Sequence, residues 1–318
     1  MNKSSFFLPE QGSTIAPDVD SLFYFIFTAA AIIFLIVVIT MALLVWRYRR
    51  RSQEAGLTPG KDHNLKLELL WTIIPTILVL ITFVWGFKTY LKMNVVPRDA
   101  IEIKVTGKKW MWIFDYPNGT NSLNELIVPA HRPIKLLLSS EDVIHSFYVP
   151  GFRIKMDVLP NRYNVTWFEA AGEGEYDLFC AEYCGTGHSR MLGKVRVLEE
   201  NEWNKWLEEG ALKVNENMPL PELGKLLTEK KACNTCHTHD GSPLVGPTFW
   251  NLFGHTVELS DGSTVVVDEN YIRQSILDPM SQVVAGYNPV MPTFKGLLRE
   301  RELDALIAYI KTLKAEDK

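Results

Sequence analysis

The chain has 318 residues, of which 47% are hydrophobic, and this length is sufficient for more than one domain. Its formal net charge of -4 excludes the strongly basic class of nucleic-acid-binding proteins, so we expect no nucleic-acid partner. The four cysteines form two closely spaced pairs with stronger candidate roles than disulfides, so cysteine usage does not identify the redox compartment.

The first 95 residues predict a polar segment followed by a transmembrane hairpin. Residues 1–21 are polar and lack the apolar core of a signal peptide. Residues 22–46 are almost continuously apolar, which is long enough to span a bilayer, and a second apolar run covers residues 69–87. We therefore predict a hairpin over residues 22–95. A pair of buried core helices is the alternative, but the length of the first run and its lack of charge disfavour it.

The loop between the two apolar runs, at about residues 47–67, predicts the orientation of the hairpin. It carries six basic residues: Arg47, Arg49, Arg50, Arg51, Lys61 and Lys66. Such loops stay in the cytoplasm under the positive-inside rule. Both termini and everything beyond the hairpin would then lie on the outer side. We predict a multi-pass protein of a bacterial inner membrane whose later domains face the periplasm or the equivalent outer face.

From residue 96 to about residue 200 the pattern changes to short runs typical of β-strands. Residues 101–105 and 163–167 alternate between apolar and polar side chains. Turn signals separate the runs, namely Pro-Asn-Gly at 117–119 and Pro-Asn-Arg at 160–162. Many short strands separated by turns predict an all-β sandwich.

A loop near the end of this segment predicts a metal site. Cys180, Cys184, His188 and Met191 fall within twelve residues, and thiolates, imidazoles and thioethers are ligands that copper prefers. Two thiolates could bridge two copper ions, and His145 on a preceding predicted strand offers a second imidazole. A Cys180–Cys184 disulfide is an alternative that gives His188 and Met191 no role. A structural zinc site usually combines two short cysteine pairs, and the second pair in this chain, Cys233 and Cys236, has another candidate role.

These motifs resemble subunit II of haem–copper cytochrome c oxidases. The resemblance rests on Cys-x-Glu-x-Cys-Gly-x-x-His-x-x-Met at 180–191 and Asp-Val-Ile-His-Ser-Phe at 142–147. It implies a cupredoxin-like fold holding the binuclear copper centre CuA. The implied copper ligands are His145, Cys180, Cys184, His188, Met191 and the backbone carbonyl of Glu182. The Glu182 side chain matches a residue that reaches a magnesium ion at the interface with subunit I, although a role in shaping the loop is the alternative.

The same resemblance implies two further functional residues. Trp110, in the run Lys-Trp-Met-Trp at 109–112, matches the tryptophan through which this family receives electrons, although Lys109 replaces the usual glutamine. Core packing is the alternative role for such an aromatic stripe. Glu68 stands before Leu-Leu-Trp-Thr-Ile-Ile-Pro and matches a carboxylate at the entrance of a proton-uptake path into subunit I. A solvated acid at a helix start is the equally favoured alternative.

The last third of the chain predicts a second redox domain. We interpret residues 201–220 as a linker that includes a short helix. Cys233-x-x-Cys236-His237 is then the attachment motif of a c-type haem, with His237 as an axial ligand. A thiol–disulfide motif is the main alternative, but it would require a βαβ context, whereas the flanking patterns here are helical.

Residues 221–318 resemble an all-α class I cytochrome c. The resemblance implies that Gly224 and Tyr309 form a helix-packing pair and that a methionine completes the iron coordination. Met291, in a Met-Pro segment, is favoured over Met280, which follows Asp-Pro too early. Pro247 is expected to orient His237 through its carbonyl. His239 and His255 are expected to face solvent or a haem propionate.

The sequence therefore predicts a multidomain membrane protein: a two-helix hairpin, a cupredoxin-like sandwich and a cytochrome c domain. Its predicted function is electron input to an oxidase, from a cytochrome c or a membrane redox complex through haem c and CuA to subunit I. Oxygen reduction coupled to proton pumping would belong to the complex, and the expected partners are subunit I, other oxidase subunits and membrane lipid. A membrane-anchored carrier for another acceptor, such as nitrous oxide reduction, and a structural subunit without metal are the alternatives.

Overall fold

The computed structural model describes residues 6–49, 60, 63–209 and 218–314. Contacts divide them into a helical unit, residues 6–8 and 15–95, and a larger unit formed by residues 9–14 and 96 onward.

Two long helices make up the helical unit. Helix α1 covers Ala16–Tyr48 and α2 covers Leu65–Asn94, and both are long and apolar enough to cross a membrane. The side chain of Asn64 caps the start of α2 by accepting a hydrogen bond from the N–H of Leu67 at 3.3 Å. Within the unit, Lys92 Nζ lies 2.6 Å from Asp18 Oδ2. Most of the predicted basic loop, including Arg50 and Arg51, lies outside the described residues.

Ten strands form the β-sandwich of the larger unit, hereafter the sandwich. They are β1 (Ile101–Lys108), β2 (Met111–Asp115), β3 (Asn121–Leu123), β4 (Glu125–Pro129), β5 (Pro133–Ser140), β6 (His145–Val149), β7 (Ile154–Val158), β8 (Asn164–Glu169), β9 (Gly174–Cys180) and β10 (Leu192–Leu198). One sheet has the order β3-β2-β1-β5-β8 and the other β4-β10-β9-β6-β7. Inward-facing side chains of both sheets, such as Trp112, Phe147 and Leu136, are fully buried between them.

The described part of the N-terminal segment predicted over residues 1–21 is divided between the two units. Residues 9–14 belong to the larger unit, where the N–H of Gly12 donates to the carbonyl of Gly151 at 2.8 Å. A Cβ at Gly12 would lie 2.7 Å from the ring of Phe152, so only glycine allows this approach. Helix α1 then begins at Ala16, six residues before the apolar run.

The remaining elements are mainly helical. Helix α3 (Glu200–Glu209) follows the sandwich, and residues 218–314, hereafter the cytochrome region, contain α4 (Leu220–Lys230), α5 (Glu269–Leu277) and α6 (Glu300–Thr312). Helices α4 and α6 touch at Gly224, where a Cβ would overlap the carbonyl of Ala305 and lie 2.6 Å from Cβ of Tyr309. The region is not purely helical, because β11 (Thr256–Glu258) and β12 (Thr264–Val266) form an antiparallel pair.

Strand β2 is apolar on both faces because each face packs against a different core. Trp112 and Phe114 face the core of the sandwich. Met111 and Ile113, on the opposite face, belong to a second apolar cluster with Leu223 and other residues of the cytochrome region. A strand buried on both faces loses the apolar/polar alternation that marks a half-exposed strand.

Candidate metal centre and haem cleft

Strand pairing brings together the two halves of the predicted copper site. Strand β6 pairs with β9 so that Phe147 lies opposite Cys180. His145 stands at the start of β6 and is completely buried, and its Nδ1 atom lies 3.9 Å from the sulfur of Cys180. The antiparallel pairing of these two strands thus brings together two residues that are 35 positions apart in the sequence.

The loop that follows Cys180 folds back on itself and presents its donors to the same point. The N–H of Cys180 donates to the carbonyl of Met191 at 3.2 Å, which closes the base of the loop. A Cβ at Gly187 would overlap the ring of Trp110, and Gly185 has φ of 116°, in the region that favours glycine. The two glycines allow the loop to lie flat against the tryptophan.

Six potential donor atoms form a connected cluster. The Cys180 and Cys184 sulfurs are 3.8 Å apart, and Cys184 Sγ lies 3.5 Å from His188 Nδ1 and 3.8 Å from Met191 Sδ. On the other side, Cys180 Sγ lies 3.2 Å from the carbonyl oxygen of Glu182 as well as near His145. A disulfide requires sulfurs about 2.05 Å apart, so the two cysteines are unbonded thiols. Each sulfur has an imidazole beside it, which suits two ions bridged by two thiolates.

The electrostatics of the cluster favour loss of one thiol proton before any cation arrives. A hydrogen bond from the Cys184 thiol lowers the pKa of Cys180, assisted by His145, although burial opposes this shift. The hydrogen bond with Cys180 and burial raise the pKa of Cys184. The second thiolate therefore needs a cation, and metal binding would release its proton.

Asp142 is a functional candidate that the sequence reasoning missed. Its carboxylate accepts hydrogen bonds from Nε2 of His145 at 2.8 Å and from the N–H of Lys109 at 2.8 Å. Although burial opposes it, hydrogen bonds from His145 and from the Lys109 and Val143 N–H groups lower the pKa of Asp142 to about 2. The carboxylate fixes the imidazole so that Nδ1 faces Cys180. The sequence feature that could have identified this role is an acidic residue three positions before the histidine.

Trp110 links the copper cluster to its surroundings. Its indole N–H donates to the carbonyl oxygen of Cys184 at 3.1 Å, and its side chain is 5% exposed. The N–H of the preceding residue, Lys109, donates to the carboxylate of Asp142. The tryptophan is therefore attached to both halves of the donor cluster, through the Cys184 main chain and through Asp142.

The cytochrome region holds an apolar cleft around the Cys-x-x-Cys-His motif. Cys233, Cys236, His237 and Met291 line it, and so do Lys109, Trp110 and Met111 from the sandwich. Nδ1 of His237 donates to the carbonyl of Pro247 at 2.6 Å, as expected for an oriented axial ligand. Burial raises the pKa of Cys233 to about 12 and that of Cys236 to about 11, whereas reactive dithiols have lowered values. The cleft therefore fits a covalently attached haem better than a thiol–disulfide motif.

The two candidate methionine ligands differ in their packing. Met291 is half-buried and packs against the second apolar cluster, whereas Met280 is 52% exposed. Both line the cleft, and the packing favours Met291. His239, which was expected to face solvent or a haem propionate, has its Nδ1 atom 3.0 Å from the hydroxyl of Tyr309.

Two acids, Glu68 and Glu182, have predicted roles for their side chains other than copper or haem binding. Glu68 accepts hydrogen bonds from the N–H of Asn64 and from His63 Nδ1, both at 3.1 Å, so it caps the start of α2. This contact matches its alternative role as an acid at a helix start and leaves a proton-path role untested. Glu182 presents its carbonyl to Cys180 while the residue is exposed.

Comparison with known proteins places these observations in a family. The transmembrane domain model of cytochrome c oxidase subunit II matches residues 1–89, its periplasmic domain model matches 120–197, and the cytochrome c model matches 221–314. A cytochrome c oxidase subunit 2 from Alkalihalophilus pseudofirmus is 32% identical over an alignment of 293 residues that covers 89% of this chain and 84% of the relative. The chain belongs to the cytochrome c oxidase subunit 2 family.

Two further similarities cover less of the chain. The subunit 2 of Synechocystis sp. is 28% identical over 260 residues, covering 67% of this chain and 78% of the relative. Among solved structures, the periplasmic domain of subunit II of cytochrome oxidase from Bradyrhizobium japonicum is 34% identical, with a TM-score of 0.36, covering 37% of this chain and 97% of that domain. Membership of the cytochrome c oxidase subunit 2 family, with an added cytochrome c domain, implies copper and haem as cofactors.

Proposed function

We propose that this chain is the electron-input subunit of a terminal haem–copper oxidase, and that electrons pass from a donor through haem c and CuA to subunit I. The family supports the electron-input role. The proposed order of the two redox centres rests on one observation, which is that Trp110 contacts both sites. It lines the cleft of the Cys-x-x-Cys-His motif, and its indole N–H is bonded to the Cys184 carbonyl.

In the proposed copper site the donor set is divided between two ions. His145, Cys180, Cys184, His188, Met191 and the carbonyl of Glu182 would hold CuA. When bound, this pair of ions supplies one-electron transfer with the charge shared between them. The chain itself buries His145, both cysteines and Met191 and fixes the first imidazole through Asp142, so that little rearrangement would accompany a change of charge.

In the proposed haem site Cys233 and Cys236 would form the thioethers, and His237 and Met291 would be the axial ligands. A haem with this ligand pair supplies a one-electron couple of raised potential. The carbonyl of Pro247 orients His237, and a Cβ at Gly246 would lie 2.7 Å from its Cε1 atom, so the imidazole has one orientation.

Contacts between the sandwich and the cytochrome region support direct transfer between the two centres. Cys236, Val245 and Val290 pack against the core cluster that includes Trp110. The positive charge of Arg190, in the copper loop, acts on Cys236. Lys230 Nζ, at the end of α4, lies 3.4 Å from Glu125 Oε2 in the sandwich.

The remaining parts of the proposal concern the complex. The basic loop supports a location in the bacterial inner membrane with both redox domains on the periplasmic side. Subunit I would accept the electron, and a cytochrome c or a membrane redox complex would supply it. Glu182 would contribute a carboxylate to magnesium at the subunit I interface, and Glu68 would stand at the mouth of a proton path.

The experiment is purification of the intact complex followed by stopped-flow reduction at the haem c and copper absorption bands. We expect copurification with subunit I, reduction of haem c first, and a transfer rate to copper that does not change with protein concentration. Copurification with a nitrous oxide reductase instead would support the carrier alternative. Copper reduction that precedes haem c reduction with the donor would contradict the proposed order.

A further inference from the structure

One wall of the haem cleft faces the sandwich. Lys109, Trp110 and Met111 line it, and Cys236, Val245 and Val290 pack against the core of the sandwich. A haem held in this cleft would therefore have one side against the sandwich. A donor outside the chain needs a different route to the iron.

A stack of aromatic rings leads away from the axial histidine on another side. The rings of His237 and Phe249 are stacked with centroids 4.5 Å apart and planes 12° apart. Phe249 stacks in turn with His239, at 5.5 Å and 28°. Three rings thus follow one another, and such stacked arrangements are a preferred geometry for aromatic side chains.

Each of the three residues in the stack makes a hydrogen bond that helps to hold it in place. His237 donates to the carbonyl of Pro247 at 2.6 Å, and the N–H of Phe249 donates to the carbonyl of Thr238 at 2.8 Å. His239 is bonded to the hydroxyl of Tyr309 on α6 at 3.0 Å. A fixed stack has a constant gap between its π-systems, and electron tunnelling falls steeply as such gaps widen.

The residues directly beside the outer end of the stack are exposed, whereas His239 itself is half-buried. Asp240, Gly241 and Ser242, directly after His239, are exposed, and Trp250, next to Phe249, is 40% exposed. A Cβ at Gly241 would lie 3.4 Å from Cδ1 of Trp250, so the two loops that carry the stack meet at this surface.

We propose that the stack His237–Phe249–His239 is the route by which an electron from an external donor reaches haem c. This inference rests on the proposed function. The donor, a cytochrome c or a membrane redox complex, would lose one electron while the haem c iron gains one. No bond forms or breaks and no proton is transferred. Tyr309 is a positioning residue for the outer ring.

The experiment injects electrons at a known surface position of the intact, copper- and haem-loaded chain. With all four native cysteines engaged by metal or haem, a ruthenium photosensitiser can be attached to Ser242→Cys at the outer end of the stack. The matched control carries it at Lys295→Cys, which is exposed on the methionine side of the cleft. Flash photolysis then gives the rate of haem c reduction from each position.

Two variants of one residue separate an electronic role from a structural one. His239→Leu removes the outer ring and should slow injection from position 242 on the order of tenfold, while His239→Phe keeps a ring and should preserve the rate. Injection from position 295, the haem spectrum and the haem midpoint potential should be unchanged in both. Equal rates from position 242 in the Leu and Phe variants would overturn the proposed route.

The outcomes also distinguish this inference from the proposed function. If injected electrons reach copper from both label positions but His239→Leu does not change the rate from position 242, the proposed route through the stack is wrong. The proposed order of the two redox centres would still hold. If electrons reach haem c but never reach copper, the proposed function fails, whatever the effect of His239→Leu.

Discussion

The indole N–H of Trp110 donates a hydrogen bond to the main-chain carbonyl of Cys184 at 3.1 Å, and the same indole lines the cleft around His237. We expect Trp110→Ala to slow electron transfer from haem c to copper while both metal spectra stay unchanged, because Trp110 supplies no metal ligand. Stopped-flow absorbance at the two bands measures this step. Trp250→Ala, at an exposed tryptophan remote from the copper loop in sequence, is the control. An unchanged transfer rate in Trp110→Ala would remove Trp110 from the path.

The paired sulfurs 3.8 Å apart predict about two copper ions per chain. Elemental analysis of the purified protein measures this ratio, and a value near one, or zinc instead, would contradict it. Cys180→Ser and Cys184→Ser should each abolish the mixed-valence spectrum. Met191→Leu should shift the copper potential more than it removes metal, because an axial thioether is a weak ligand.

The carboxylate of Asp142 holds His145 with its Nδ1 atom toward Cys180. We expect Asp142→Asn to weaken copper binding by about 10–100-fold, the usual cost of losing such a partner of a metal-bound histidine. Competition with a copper chelator measures the affinity. Glu141→Gln is the matched control, since Glu141 is half exposed and pairs with Lys108 instead. Equal affinities in the two variants would show that Asp142 does not position the ligand.

The close contact of α4 with α6 predicts that Gly224→Ala destabilises the cytochrome region. A Cβ there would overlap the Ala305 carbonyl, which belongs to a helix backbone and cannot move aside cheaply. We expect a loss of about 1–3 kcal/mol in the free energy of unfolding, as for other overpacked sites. Denaturant unfolding followed at the haem band measures it. Lys225→Ala, on the exposed face of the same helix, should have little effect.

The basic loop predicts that position 56, outside the described residues, faces the cytoplasm. A cysteine introduced by Gly56→Cys should react with a membrane-impermeant thiol reagent only when the cytoplasmic side is exposed. Inverted vesicles and intact cells provide the two sides. Reaction in intact cells would reverse the orientation and place both redox regions in the cytoplasm.

The sequence alone determined the features that depend on residue type and local spacing. Long apolar runs predicted both helices, because a helix that crosses a bilayer needs about 20 apolar residues whatever its neighbours are. The copper donors lie mostly in one loop, and Cys233 to His237 are consecutive, so short-range spacing was enough to identify them as candidates. The apolar faces of β2 were also visible, although what covers each face was not.

Only the tertiary structure decided which distant residues meet. The pairing of β6 with β9 places His145 beside Cys180, and the fold brings Asp142 to both His145 and the Lys109 N–H. The stacking of His239 on Phe249, and its bond to Tyr309 seventy residues later, depends on how α6 packs. Such contacts are set by strand register and helix packing, which are properties of the whole core and leave no periodic signal in the local sequence.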